Sequence, residues 1–182
     1  MEELEQLRRL LAEWRPVDYD SLPDLNLYKD QMLEYMQRQL PAADDALTGA
    51  MINNYIKSGL LPRPVGKRYQ RQHLAILTAL CQLKQVLPMA DIGALLAQQP
   101  DAADPPAFYR RYLEQLDCAL QRAADRLPQT ADREALARGA LELALQSYAD
   151  LLVARQLLGL LTSEDEKEKG KGKKQHQEES RG

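Results

Sequence analysis

The sequence predicts a mostly α-helical protein, and three observations carry that expectation. Ala, Leu, Gln and Glu crowd its 182 residues at the expense of Val and Thr, a composition of strong helix formers. Apolar residues recur at intervals of three and four along most of the chain, the spacing of amphipathic helices. Breaks rich in Pro, Gly, Asp and Asn separate these runs, as at "LPDLN" and "QQPDAADPP". Hydrophobic residues make up 45%, enough for one domain with a real core or for a small domain with an appended helical module.

Taken in order, Leu4, Leu7, Leu11 and Trp14 predict a first amphipathic helix that Pro16 stops, giving an N-terminal module over 1–20. "VDYDSLPDLNLY" reads as an extended connector in which Asp24 or Asn26 caps the next helix. That second helix sets Tyr28, Met32, Met36 and Leu40 on one face and ends in the polar "PAADDA". Thr48 offers an N-cap oxygen to a third, short helix, and Gly59 stands at its left-handed C-cap. Met51, Ile52, Tyr55 and Ile56 form the inner side of this helix, leaving Asn53, Asn54 and Lys57 outward.

Pro62 and Pro64 then fix extended backbone, Gly66 permits a turn, and "KRY" returns as a short strand, so a small hairpin or wing is expected over 62–69. From Arg71 a helix resumes through Leu74, Leu77 and Leu80; Pro88 sits at the start of another, "MADIGALLA". The block at 98–106 marks a module boundary. Beyond it Tyr109, Leu113, Leu116, Leu120, Ala123 and Leu127 form a heptad-like seam, and a last helix runs from about 131 to 161. That helix carries Glu134, Arg138, Glu142, Gln146 and Asp150 at every fourth position and is apolar almost everywhere else. So much apolar circumference calls for burial on several sides, by the rest of the chain or by a second copy in a homodimer joined through the C-terminal helices; both stay open here. Residues 162–182 lack apolar partners, and 164–181 hold six acids and six bases, which predicts a disordered charged tail.

Several function classes recede. The N-terminus has no apolar core followed by small residues of a secretory signal, and no apolar run reaches membrane-spanning length, so a cytoplasmic protein without membrane attachment is expected. Cys81 and Cys118 stand singly, which suggests neither a disulfide framework nor a metal site. His73 lies within a helix and His176 in the tail, with no Gly-rich phosphate loop and no nucleophile elbow; neither an enzyme nor a bound cofactor is expected. Were a ligand pocket present, Phe108, Tyr109, Tyr112, Trp14 and Tyr148 would be its candidates, although core packing explains aromatics more simply.

Charge is more informative. The chain carries a formal net charge of −3, yet between Asp45 and Asp91 there is no Asp or Glu, while Lys57, Arg63, Lys67, Arg68, Arg71 and Lys84 supply six positive charges. Double-stranded DNA is the partner that most directly suits such a segment, because each cation on a phosphate releases counterions and nearby carboxylates would repel the polyanion. Asn53, Asn54 and Lys57 would face a major groove, with Arg63, Lys67, Arg68 and Arg71 on flanking phosphates.

"MINNYIKSGLLPRPVGKRYQRQHLAIL" resembles the recognition helix, wing and following helix of MerR-type winged helix-turn-helix regulators, through Tyr55, Lys57, Gly59, Leu60, Leu61, Pro62, Arg68 and Tyr69. The wider run from "LPDLNLYKDQM" to "LKQVLPMADIGALL" is similar to a bacterial family of unknown function, number 1836 in the domain-of-unknown-function series, over about residues 22–160. The resemblance implies a MerR-like domain over 21–100 with a small β wing, followed by a C-terminal helical bundle over 101–161, in a bacterial DNA-binding transcriptional regulator. A competing reading is a protein interaction module whose basic surface grips an acidic partner.

Overall fold

A computed structural model of the chain describes residues 2–40 and 47–179, with side chains as far as Ser163. The described residues are mostly helical: α1 (Glu2–Glu13), α2 (Lys29–Gln39), α3 (Gly49–Lys57), α4 (Arg71–Leu83), α5 (Met89–Ala97), α6 (Pro105–Asp125) and α7 (Arg133–Glu179), with a single 3-10 turn at Tyr19–Ser21.

The helix at the centre is the most apolar in pattern. In α4 a continuous run from His73 to Cys81 is buried apart from Ile76, and Leu74, Ala75, Leu77, Ala79 and Leu80 are fully enclosed. α2 packs on one side of it through Met32 and Met36, and α6 on another through Tyr109 and Leu113; Ile52 and Tyr55 of α3 join the same cluster. α1 lies on α6, and α5 on α7, which sends Leu158 into the core. The core thus crosses the Pro- and Asp-rich break at 98–106, because residues on both sides of it pack on α4.

Helix boundaries follow local chemistry, with one correction. Thr48 Oγ1 accepts from the Met51 N–H at 3.3 Å, and Asp104 Oδ1 accepts from the Ala107 N–H at 3.2 Å, so both ends are capped by short oxygen-bearing side chains. α2 is capped by neither Asp24 nor Asn26: Tyr28 occupies the N-cap, and the Gln31 side chain accepts from its N–H at 3.0 Å. The connector is drawn instead into pairing, with Leu27 and Tyr69 exchanging both backbone bonds at 2.9 and 2.8 Å.

That pairing also decides the fate of the expected β wing. Among the described residues no sheet forms; Val65 and Arg68 close a single reverse turn, with the Arg68 N–H donating to the Val65 carbonyl at 3.0 Å. Gly66 and Lys67 both take positive φ, +57° and +62°, the signature of a tight hairpin turn with two left-handed central residues. The arms do not extend because Pro62 and Pro64 lack N–H donors and Tyr69 spends its backbone groups on Leu27.

At the other end of the chain the backbone stays helical to Glu179, through the segment whose composition predicts disorder. A helix already nucleated over Arg133–Ser163 extends without a new nucleation cost. Residues 41–46, the whole of the "PAADDA" break, lie outside the described residues.

Candidate nucleic-acid interface

α3 is anchored from beneath and open above. Ile52 and Tyr55 are buried, while Asn53, Asn54 and Lys57 are exposed, as the spacing required. Its end is sharply turned: Gly59 sits at φ +77°, and the N–H groups of Leu60 and Leu61 both donate to the Tyr55 carbonyl, at 2.9 and 3.1 Å. Leu61 drops into the core directly afterwards, which fixes the departure of the 62–69 turn from the helix.

Of the seven residues expected to touch a nucleic acid, five are exposed. Asn53, Asn54 and Lys57 lie on α3, and Arg63 and Lys67 on the turn. The other two are drawn inward. Arg68 places its guanidinium 3.7 Å from the centre of the Tyr28 ring, and donates to Tyr28 Oη at 2.6 Å and to the Asn26 carbonyl at 3.2 Å. Arg71 donates to the Leu22 carbonyl at 3.0 Å and approaches Asp20 and Asp24 at 3.9 and 3.7 Å. Both therefore secure the 20–28 connector against the turn and the start of α4. The stretch free of acids in sequence receives acids in space, through Arg71.

Two residues belong to this corner without a local sequence signal. Lys29, at the start of α2, donates from Nζ to Asn53 Oδ1 at 3.0 Å, bringing a cation from a different helix onto the outer face of α3. Nothing in the spacing of α2 marks it, since its neighbour is 24 residues away. His73 lies beneath the turn, fully buried. Its Nδ1 accepts from the Gln70 N–H at 2.9 Å, the Tyr69 ring meets it edge-on at 5.6 Å, and among the described residues its Nε2 has no hydrogen-bond partner. Burial pushes the imidazole below its ordinary 6.5, opposed by the backbone of Gln70, Arg63 and Pro62. A helical His three residues after a polar N-cap is the one signal that points to this role.

Elsewhere the candidate aromatics divide. Phe108 and Tyr112 stack with ring centres 6.2 Å apart and line a cavity of about 330 Å³ with Leu83, Leu95 and Arg111. Arg111 is bound there to Asp101 at 2.5 Å and to Gln99 at 3.0 Å, and the Tyr112 hydroxyl to Gln82. Tyr109 is core, its hydroxyl donating to the Val17 carbonyl at 3.1 Å, and burial pushes it up to about 12. Trp14 and Tyr148 lie on the surface away from the lining of that cavity. Cys81 is buried, its thiol pushed up to about 11, while Cys118 is exposed. Among the described residues no group of three or more His, Cys, Asp or Glu side chains is arranged to hold a metal ion, and no helix is long and apolar enough to cross a membrane.

A family model described as a domain of unknown function, DUF1836, matches residues 17–112, more than half of the chain. The chain belongs to this family. The DUF1836 match starts at the connector held by Arg68 and Arg71, takes in α2 to α5, and ends at Tyr112 within α6. It thus contains the whole α3 corner, while α7, which the sequence resemblance had reached into, falls outside it. No curated protein and no solved structure matches the chain.

Proposed function

We propose that the protein is a DNA-binding regulator that presents α3 to the major groove and the 62–67 turn to the flanking phosphates. In this reading α2 and α3 form a helix-turn-helix of MerR-like arrangement, with the tight Val65–Arg68 turn in place of a longer wing. The observation that supports it is the grouping of exposed Lys57, Arg63 and Lys67 with outward Asn53 and Asn54 on one backbone unit, in a segment without a single Asp or Glu from 46 to 90. Asn54 is the candidate for base reading, since an Asn amide pairs bidentately with adenine and, among the described residues, the Asn54 side chain has no hydrogen-bond partner. Asn53 shares its oxygen with Lys29, which holds that pair together as a unit. Arg68 and Arg71 are positioning residues that hold the turn in place.

Selection of duplexes from a random pool by the purified protein, followed by titration of the recovered sequence at several salt concentrations, tests the proposal. Binding should weaken linearly in log affinity against log salt, and Arg63→Ala should lower the slope by about one. Reversing Lys67 and Arg68 together is a poor probe, because Arg68→Glu also severs the turn from Tyr28. Recovery of no preferred sequence, with retention of an acidic protein that duplex DNA does not displace, would identify the basic corner as a protein-docking surface instead.

A further inference from the structure

The cavity between α4, α5 and α6 has the make-up of a binding site. Its volume of about 330 Å³ is far larger than the voids that close-packed interiors tolerate. Leu83, Leu95, Leu96, Phe108 and Leu116 make its walls apolar, and the Tyr112 hydroxyl is taken up by Gln82, so that ring adds a flat side with its polar end already satisfied. The charge in the lining has one sign, since Arg111 contributes to it and no Asp or Glu does. Asp101, the carboxylate bound to Arg111, meets only Nη2, which also donates to Gln99; among the described residues Nε and Nη1 have no partner. A half-buried guanidinium thus keeps donors unused beside an apolar space. A second space of about 250 Å³ adjoins the first across Leu96 and Phe108, against Gly59, Leu60 and Pro62 at the exit of α3. No polar or charged side chain lines it, so it has nothing to orient a ligand.

We propose that the α4–α5–α6 cavity binds a small monocarboxylate with an apolar, ring-bearing body, its carboxylate on the unused donors of Arg111 and its body between Leu95, Phe108 and Leu116. The size follows from the volume: an apolar cavity of about 150 Å³ holds benzene, so twice that space suits about a dozen non-hydrogen atoms. The charge follows from the lining. A cation would be repelled by Arg111, and a neutral molecule of the same shape would forgo the charge-assisted hydrogen bonds that a carboxylate makes with a guanidinium. A doubly charged anion is a poorer occupant, because its second charge would lie against leucine and phenylalanine side chains or beside Asp101. The site stands independently of DNA binding.

Isothermal titration of the full chain without nucleic acid tests this, with phenylacetate, phenylpropionate and phenylbutyrate as probes and the matching neutral amides beside them. At least one of the carboxylates should bind at a single site in the millimolar range or tighter, and about tenfold more tightly than its amide. Arg111→Met should bring that carboxylate down to the level of its amide. An Arg111 that merely ties Asp101 to α6 would instead lose stability on substitution without changing the ratio of the two probes. Leu95→Trp, which fills the cavity and leaves Arg111 in place, should abolish binding of both. Circular dichroism checks that each variant is folded, and Arg111→Gln replaces Arg111→Met if that one is not. Absence of saturable binding by all three carboxylates, or equal affinity for carboxylate and amide, overturns the proposal. So does carboxylate binding that survives Leu95→Trp, which would put the anion on the basic corner around Lys57 and Arg63.

Discussion

Lys67 combines two demands in one residue: it carries an exposed cation and it occupies a left-handed backbone position at φ +62° that most side chains avoid. These demands separate on substitution. Lys67→Gly keeps the turn, relieves the strained backbone and removes the charge, so thermal unfolding should show unchanged or slightly raised stability, by about 1 kcal/mol at most. DNA affinity measured in parallel should fall with a shallower salt slope. His73 supplies a second test at the same scale. Its folded-state pKa lies below the ordinary 6.5, so as pH falls the unfolded chain takes up the proton first. Stability is therefore full above pH 6.5 and declines below it, until the folded-state value is passed. His73→Gln, whose side-chain oxygen can still accept from the Gln70 N–H, should remove that component of the pH dependence, as read by urea unfolding at pH 8 and pH 5.

At the scale of elements, the decisive contacts are those that clip irregular segments onto helices. Arg68 joins the 62–69 turn to the start of α2 through a stacked guanidinium and two hydrogen bonds, and no lysine reproduces that planar fork. Arg68→Lys should lower stability by about 1 kcal/mol in chemical denaturation, a loss comparable with a partly exposed cation–π contact and a hydrogen bond. The third helix was legible almost residue by residue, because a Thr cap, a Gly stop and an apolar stripe are all local signals. The reduction of the expected β wing to a tight turn was not, because strand extension depends on which backbone groups Tyr69 finds, and it finds Leu27 from 42 residues upstream. The same blindness hid Lys29, whose place in the candidate site comes entirely from the crossing of α2 and α3.

For the whole molecule, one buried cluster links α2, α3, α4, α6 and α7. Leu77→Ala in α4 and Leu158→Ala in α7 should therefore both shift the same unfolding transition, the first by about 2–5 kcal/mol because its site is wholly enclosed. The sole tryptophan, Trp14, reports from the end of α1, which Arg15 ties to α6 through Asp117 at 2.6 Å. Its fluorescence and the helical circular dichroism should follow coincident urea curves; separate midpoints would reveal two independently folding parts.

Helix content, the cap and stop of α3, its inner and outer faces and the concentration of positive charge after Asp45 were determined by the sequence alone, since each depends on residues a few positions apart. Tertiary structure decided which cations stay in solvent and which are consumed holding the connector, how far the turn extends, and that α7 keeps Leu141, Leu145 and Tyr148 exposed. Those outcomes depend on partners tens of residues distant, and a one-dimensional pattern fixes what a side chain prefers without fixing what will stand opposite it.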